Sequence, residues 1–158
     1  MLDDIQKDYD DPKYSLRILS DKFSSFLKEG MSALEKENAL TKASVELTTA
    51  DAPRWDFIAG RFLSFFFERR INESMKRRNI FSFSEKLNYL VSEGLYLKDI
   101  TDNYTKEEIE EAYTYIDGER NKLFTYSGLD LLLKRYVIRS HKHEVLETPQ
   151  EMYLGIAL

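Results

Sequence analysis

The feature that most constrains the fold is a helix-start pattern, Ser or Thr followed three residues later by Glu, which recurs along the chain. In this pattern, the capping box, the hydroxyl accepts from the N–H of the third residue and the Glu carboxylate accepts from the N–H of the first. It precedes apolar stretches at Ser32–Glu35, Ser82–Glu85, Thr105–Glu108 and Thr148–Glu151. Each occurrence predicts the start of a helix.

Apolar residues at helical spacing predict three further helices. The strongest pattern follows Asp51-Ala52-Pro53, which suits a helix start because the first N–H groups of a helix have no partners inside it. The apolar positions that follow are Trp55, Ile58, Ala59, Phe62, Leu63 and Phe66. Weaker patterns predict helices over residues 14–28 and 125–135. In the helix after Ser32, the positions predicted to face inward are Leu34, Leu40, Ala43 and Leu47.

A short β-hairpin is predicted close to the last capping box. Two short runs, 136–139 and 144–146, flank Ser140-His141-Lys142-His143 and are rich in residues that favour strands. We therefore predict an all-α fold, a helical domain with one short β-hairpin.

The composition is that of a globular protein without thiol chemistry. The chain has 158 residues, 42% hydrophobic and 32% charged, which suits one domain with its own core. It contains no cysteine, which excludes disulfides, thiolate metal ligands and cysteine nucleophiles within it. The net charge of −5 argues against a nucleic-acid partner, and no apolar run approaches the ~20 residues of a spanning helix. We expect a cytoplasmic protein whose acidic residues 1–10 are frayed.

Three groups of polar residues are candidate sites. His141 and His143 alternate, as some metal ligands do, but a solvated turn between two strands explains them more simply. The acidic run over residues 107–111 lies in the first turns of a helix, where the positive end of the dipole favours carboxylates. The basic residues between Arg69 and Arg78 lie at a helix end that attracts cations and not phosphate. We predict no metal site and no catalytic residue.

Three segments resemble the large subunit of class I ribonucleotide reductases. Residues 40–47 and 51–63, with Asp51-Ala52-Pro53, resemble the end of the family's ATP-cone and the helix after it. The residues Tyr115-Ile116-Asp117-Gly118-Glu119-Arg120, followed by 124–129 and 134–138, resemble a second family signature. Residues 147–153, which begin Glu147-Thr148-Pro149-Gln150, are similar to the "ETPQ" that opens the family's next helix. The three segments occur in the family's order, and the resemblance extends over roughly residues 34–158.

This resemblance implies an enzyme that reduces ribonucleotides to deoxyribonucleotides. In the family, a small subunit supplies a radical to a cysteine in a ten-stranded barrel of the large subunit, and a cysteine pair delivers electrons. Neither the barrel nor these cysteines are present here. The resemblance therefore implies a scaffold or regulatory segment, with residues 1–78 a partial, degenerate ATP-cone and following helix. Residues 79–158 would begin the N-terminal helical domain, truncated before the barrel. The implied partners are the rest of the large subunit, the small subunit and a second copy in a homodimer.

The resemblance also raises ATP or dATP as an allosteric effector. The family's cone opens with a strand that reads roughly "V.KRDG", and nothing in residues 1–30 matches it. Of the nucleotide contacts, only Arg69 can be carried over, at a position where relatives have a basic residue. Glu37 stands where some relatives have a histidine. We therefore predict weak or no binding of ATP and dATP, and no cofactor in this chain.

Three hypotheses stay open at this point. The first is a scaffold segment of the reductase large subunit. The second is a nucleotide sensor that holds ATP or dATP between residues 31–49 and 53–70. The third is a freestanding helical interaction domain with an unrelated function.

Overall fold

The computed structural model describes residues 11–158, and the predicted fraying of residues 1–10 lies outside them. These described residues are mostly helical, at 66%. The α-helices of the described residues are α1 (Leu16–Ser24), α2 (Ala33–Glu46), α3 (Trp55–Arg77), α4 (Phe83–Ser92), α5 (Asp99–Asn103), α6 (Lys106–Tyr113), α7 (Tyr126–Arg135) and α8 (Pro149–Ala157). There are also two 3₁₀ helices in this part of the chain: Pro12–Tyr14 precedes α1, and Gly118–Leu123 lies between α6 and α7. No helix in this part of the chain is both long and apolar enough to cross a bilayer.

All four predicted capping boxes are formed. The N-cap side chains of Ser32, Ser82, Thr105 and Thr148 each accept from the backbone N–H three residues on. The Glu at that third position in turn accepts from the N-cap backbone N–H. Local sequence therefore determines where α2, α4, α6 and α8 begin.

The predicted start of α3 is wrong by about one turn. The helix begins at Trp55 and not at Asp51. The Thr49 hydroxyl accepts from the Ala52 N–H at 3.1 Å, and the same two residues form an isolated antiparallel bridge. This turn holds the backbone out of helical geometry up to Pro53. The Asp51 side chain is thus placed too early to cap the helix.

The predicted β-hairpin is not confirmed. Arg139 and Val145 form an isolated antiparallel bridge, and the described residues contain no sheet. The bonds from Ser140 N–H to Glu144 O and from Leu146 N–H to Ile138 O would begin a ladder. The N–H of Ile138 instead donates to the Glu147 side chain at 2.8 Å, so the pairing ends there. His143, with φ 62°, lies in the tight turn between the two halves.

The chain divides into two compact units, of which the first comprises described residues 11–66 and 120–130. Its core is formed by Tyr14, Leu19, Ala43, Trp55, Ile58, Phe62 and Phe66. The apolar face predicted for α3 is therefore confirmed at Trp55, Ile58, Phe62 and Phe66. Leu34, which was predicted to face inward, is 51% exposed, because it lies in the first turn of α2 beyond the reach of this core.

The second unit comprises residues 67–119 and 131–158. Its core contains Phe83 and Leu87 of α4 and Ile109 of α6, with the partly buried Leu154 and Leu158 of the α8 region packed against them. The Phe83 and Tyr113 rings stack with centroids 4.8 Å apart. The functional boundary proposed between residues 78 and 79 stays a prediction.

Candidate functional site

A buried ion pair joins α4 to α8 in the second unit. Lys86 Nζ lies 2.7 Å from Glu151 Oε2, and the two side chains are 5% and 8% exposed. Lys86 follows Phe83 by three residues and precedes Leu90 by four, so it lies on the apolar face of α4. A charge at such a depth is tolerated only when it is paired and hydrogen-bonded.

Glu151 also completes the capping box of α8. Its Oε2 accepts from the Thr148 N–H at 2.7 Å, and its own N–H donates to the Thr148 hydroxyl oxygen at 3.3 Å. The same carboxylate thus satisfies the first turn of α8 and neutralises Lys86. The start of α8 is therefore held to the middle of α4 by one side chain.

Glu147 is the second buried carboxyl of this cluster and is only 2% exposed. Its Oε1 accepts from the Ile138 N–H at 2.8 Å, and its Oε2 accepts from the Tyr96 hydroxyl at 3.0 Å. Burial raises the pKa of the Glu147 carboxyl, and the negative charge of Glu151 acts in the same direction. The two hydrogen bonds and the charge of Lys86 oppose this increase in the pKa. Burial, together with the charge of Glu147, also raises the pKa of the Tyr96 hydroxyl.

The backbone of Gly155 lies close to the Tyr96 ring, and this allows the Tyr96 hydroxyl to reach Glu147. A Cβ at Gly155 would collide with the Tyr96 hydroxyl and would lie 2.8 Å from its Cζ. Gly155 is buried in α8, one turn after Glu151. A glycine is required here by space and not by backbone conformation.

Two of the segments that carry the family resemblance meet directly. Gln150 Nε2 donates to the Asp117 carbonyl oxygen at 2.8 Å, and the Asp117 N–H donates to Gln150 Oε1 at 3.2 Å. An amide that binds both polar groups of one residue's backbone sets the distance and the orientation of that backbone. The first turn of α8 therefore holds the segment that follows α6.

An open groove of about 670 Å³ lies beside this cluster, and all of its lining residues belong to the second unit. Glu147 and Tyr96 form part of its wall, and the other lining side chains are apolar or aromatic. Four large lining side chains are exposed to solvent: Leu97, Tyr136, Tyr153 and Ile156. This mostly apolar lining is suited to contact with an apolar surface.

The candidate groups identified from sequence lie elsewhere. Arg69 is on the exposed surface of α3, with its Nε 3.8 Å from Glu73 Oε1. His141 and His143 are exposed in a turn. Within residues 11–158, no group of three or more His, Cys, Asp or Glu side chains is arranged to hold a metal. The nucleotide role of Arg69 stays a prediction.

The charged runs contribute to structure. Arg77 and Arg78, at the end of α3, pair with Glu144 at 3.2 and 2.8 Å. In the acidic run, Glu108 closes the α6 capping box, and Glu110 accepts from the Ser84 N–H at 2.7 Å. The basic and acidic runs thus connect neighbouring segments of the second unit.

Sequence reasoning missed Lys86, Glu147 and Tyr96. Lys86 could have been identified from the sequence. Helical spacing places it among Phe83, Leu87 and Leu90, and a lysine on such an apolar face needs a buried anion as its partner. Glu147 and Tyr96 had none, since their pairing depends on how α8 packs.

Comparison with known proteins identifies relatives of the whole chain. No protein-family profile matches it. It is 49% identical over 158 residues to the ribonucleoside-diphosphate reductase alpha subunit of Treponema pallidum, a match that covers 100% of this chain and 19% of the relative. The alpha subunit of Enterobacteria phage T4 is 27% identical over 89% of this chain, and the Escherichia coli subunit 24% over 82%.

The matched region is the N-terminal part of these subunits, and the chain spans about a fifth of their length. The resemblance inferred from three short segments is therefore confirmed: the chain is homologous to the N-terminal region of reductase alpha subunits. The homologous enzymes are oxidoreductases.

Proposed function

We propose that this chain serves as the N-terminal scaffold segment of a ribonucleoside-diphosphate reductase large subunit, an enzyme that reduces ribonucleotides to deoxyribonucleotides for DNA synthesis. The observation that carries the proposal is the 49% identity to the Treponema alpha subunit over all 158 residues. Identity at this level over the whole length of this chain supports a shared role.

The contacts of the second unit support a scaffold role in preference to a catalytic one. The reaction of the family needs cysteines, and the chain has none. Among the described residues, the buried lysine and glutamates, Lys86, Glu147 and Glu151, are used to hold helices and backbone N–H groups in place. Such groups give a segment a defined shape against which other parts of an enzyme can be positioned.

The partners in this proposal are the rest of the large subunit and the reductase small subunit, in the cytoplasm. Residues 1–78 would correspond to the partial ATP-cone and following helix, and residues 79–158 to the start of the helical domain. ATP or dATP stays a candidate effector through Arg69, at the basic end of α3.

A chimaeric enzyme tests the proposal. The N-terminal fifth of the Treponema alpha subunit is replaced by this chain, and deoxynucleotide formation is measured with a small subunit and a reductant. We expect the chimaera to be active and an alpha subunit that lacks this fifth to lose most activity. The chain alone, without cysteine, should form no deoxynucleotide above a protein-free control. A truncated subunit as active as the chimaera would contradict a scaffold role.

A further inference from the structure

A turn that follows α7 joins the ends of two helices in the second unit. The Glu144 carboxylate lies 3.2 Å from Arg77 Nη2 and 2.8 Å from Arg78 Nη2, and these contacts attach the turn to the end of α3. At the other side of the turn, Arg139 Nη2 donates to the Leu133 carbonyl oxygen of α7 at 2.6 Å. The turn therefore brings together the C-terminal ends of α3 and α7, both of which are basic.

These contacts concentrate positive charge in one part of a chain whose net charge is −5. Within residues 76–78 and 134–144, the one acidic residue is Glu144. Glu73, one turn earlier on α3, is paired with Arg69. A single carboxylate does not balance the cations that surround it. The basic surface, as we call it, comprises Arg77, Arg78, Arg135, Arg139 and Lys142.

Attraction to helix ends explains part of this surface and leaves three charges that reach solvent. Cations are favoured at the C-terminal end of a helix, and Arg78 is used within the unit, where it donates to the Ser74 carbonyl oxygen and the Tyr89 hydroxyl. The Arg77 side chain, in contrast, is 64% exposed. Arg135 is exposed at the last residue of α7, and Lys142 is exposed in the turn, away from any helix end.

The placement of the exposed charges fits carboxylates on a flexible chain. A small phosphate ion would have to approach the carbonyl groups at two helix C-termini, which repel anions. The side chains of an acidic peptide can instead contact the outer ends of the long Lys and Arg side chains, where the charges are carried into solvent. A nucleic acid would carry a long array of phosphates past a chain of net charge −5, which disfavours its binding.

We propose that the basic surface binds an acidic polypeptide segment of a partner protein, one with several aspartate or glutamate residues in succession. Arg77, Arg135 and Lys142 contact its carboxylates, while the pairing of Arg78 with Glu144 holds the turn in place. Each exposed ion pair contributes little by itself, so binding depends on several of them together and weakens with salt. The inference uses contacts of the second unit and does not rest on the proposed function.

Fluorescence anisotropy tests the proposal, with the full chain titrated into a fluorescein-labelled deca-glutamate peptide at low ionic strength. We expect saturable binding. Lys142→Glu and Arg135→Glu should each weaken it by about three- to tenfold, because each removes an ion pair and adds a repulsion. Lys36→Glu is the matched control, since Lys36 is an exposed lysine of the first unit and its substitution changes the net charge as Lys142→Glu does. It should weaken binding by less than about twofold.

Three outcomes would overturn the proposal. The first is the absence of saturable binding. The second is equal weakening by Lys36→Glu and Lys142→Glu, which would show that the peptide responds to the total charge and not to this surface. The third is tighter binding of a ten-nucleotide thymidine oligonucleotide that Lys142→Glu weakens, which would assign the surface to nucleic acid.

Discussion

Lys86 and Glu151 form a salt bridge in the interior of the second unit, with Nζ and Oε2 2.7 Å apart and both side chains less than a tenth exposed. Glu151 simultaneously accepts from the Thr148 N–H. The position of α8 relative to α4 therefore depends on this ion pair. Removing the charge of either residue would leave the charge of the other buried without a counter-charge.

Lys86→Ala should lower the free energy of unfolding by about 3–5 kcal/mol, because the Glu151 carboxylate would stay buried without its cation. Lys98→Ala is the matched control. Lys98 pairs with Asp102 at 3.1 Å, but those side chains are 74% and 53% exposed. Because water screens that pair, its loss should cost less than about 1 kcal/mol. Urea unfolding of both variants measures the difference.

Restoring charge balance should recover stability. Glu151→Gln keeps an oxygen for the Thr148 N–H and removes the charge, so the double variant Lys86→Met, Glu151→Gln should be more stable than Lys86→Ala. Equal costs for Lys86→Ala and Lys98→Ala would show that the pair is not buried in solution.

Glu147→Gln should abolish a loss of folding stability that occurs as the pH rises. Burial raises the pKa of the Glu147 carboxyl above its ordinary value of 4.5, so the folded state holds this proton more tightly than the unfolded state does. The stability that this proton provides is complete below the ordinary pKa and is lost as the pH rises through the folded-state pKa. The Gln side chain keeps an acceptor for the Ile138 N–H and does not titrate. Unfolding in urea at successive pH values measures the slope.

Glu35→Gln provides a control of opposite sign. The backbone hydrogen bond from Ser32 lowers the pKa of the Glu35 carboxyl below 4.5. Its contribution is therefore present above pH 4.5 and is lost as the pH falls through the folded-state pKa. The two variants should change the pH profile in opposite directions, and a common direction would refute the assigned shifts.

Gly155→Ala should destabilise the chain by about 1–3 kcal/mol, the usual cost of forcing an extra carbon into a packed interior. The new Cβ would lie 2.8 Å from Tyr96 Cζ, and moving the ring would break its hydrogen bond to Glu147. Gly118→Ala is the control, because a Cβ at Gly118 would have no neighbouring atom within 4 Å. Thermal unfolding should separate the two variants, and similar melting temperatures would contradict the close packing.

ATP and dATP should bind weakly, with Kd values above the micromolar range. Each charge-assisted hydrogen bond to phosphate provides about 1.5–3 kcal/mol, and the residues that would supply them in the family's first strand are not found in residues 1–30. Calorimetric titration measures the affinity. Saturable binding of dATP near one micromolar that Arg69→Ala abolishes would contradict this prediction and support the nucleotide-sensor hypothesis.

The starts of four helices could be predicted from sequence because each depends on groups only three residues apart. Ser32 with Glu35 and Thr148 with Glu151 close their capping boxes whatever the rest of the chain does. The apolar face of α3 was also predictable, since helical spacing alone places Trp55 and Phe62 on one side. The homology could also be inferred from sequence, because the motifs that indicate it are continuous stretches of residues and do not depend on tertiary contacts.

Contacts between distant residues were decided only by the tertiary structure. Lys86 and Glu151 are 65 positions apart, and Tyr96 and Glu147 are 51 apart. The predicted hairpin is not confirmed: the Ile138 N–H donates to the Glu147 carboxylate, a choice that depends on how α8 is packed, and the pairing stops there. The periodicity of apolar residues predicts which side of a helix is buried, but it does not predict which two buried charged residues form a pair. That pairing follows from the packing of whole elements, where the cost of an unpaired buried charge selects the partner.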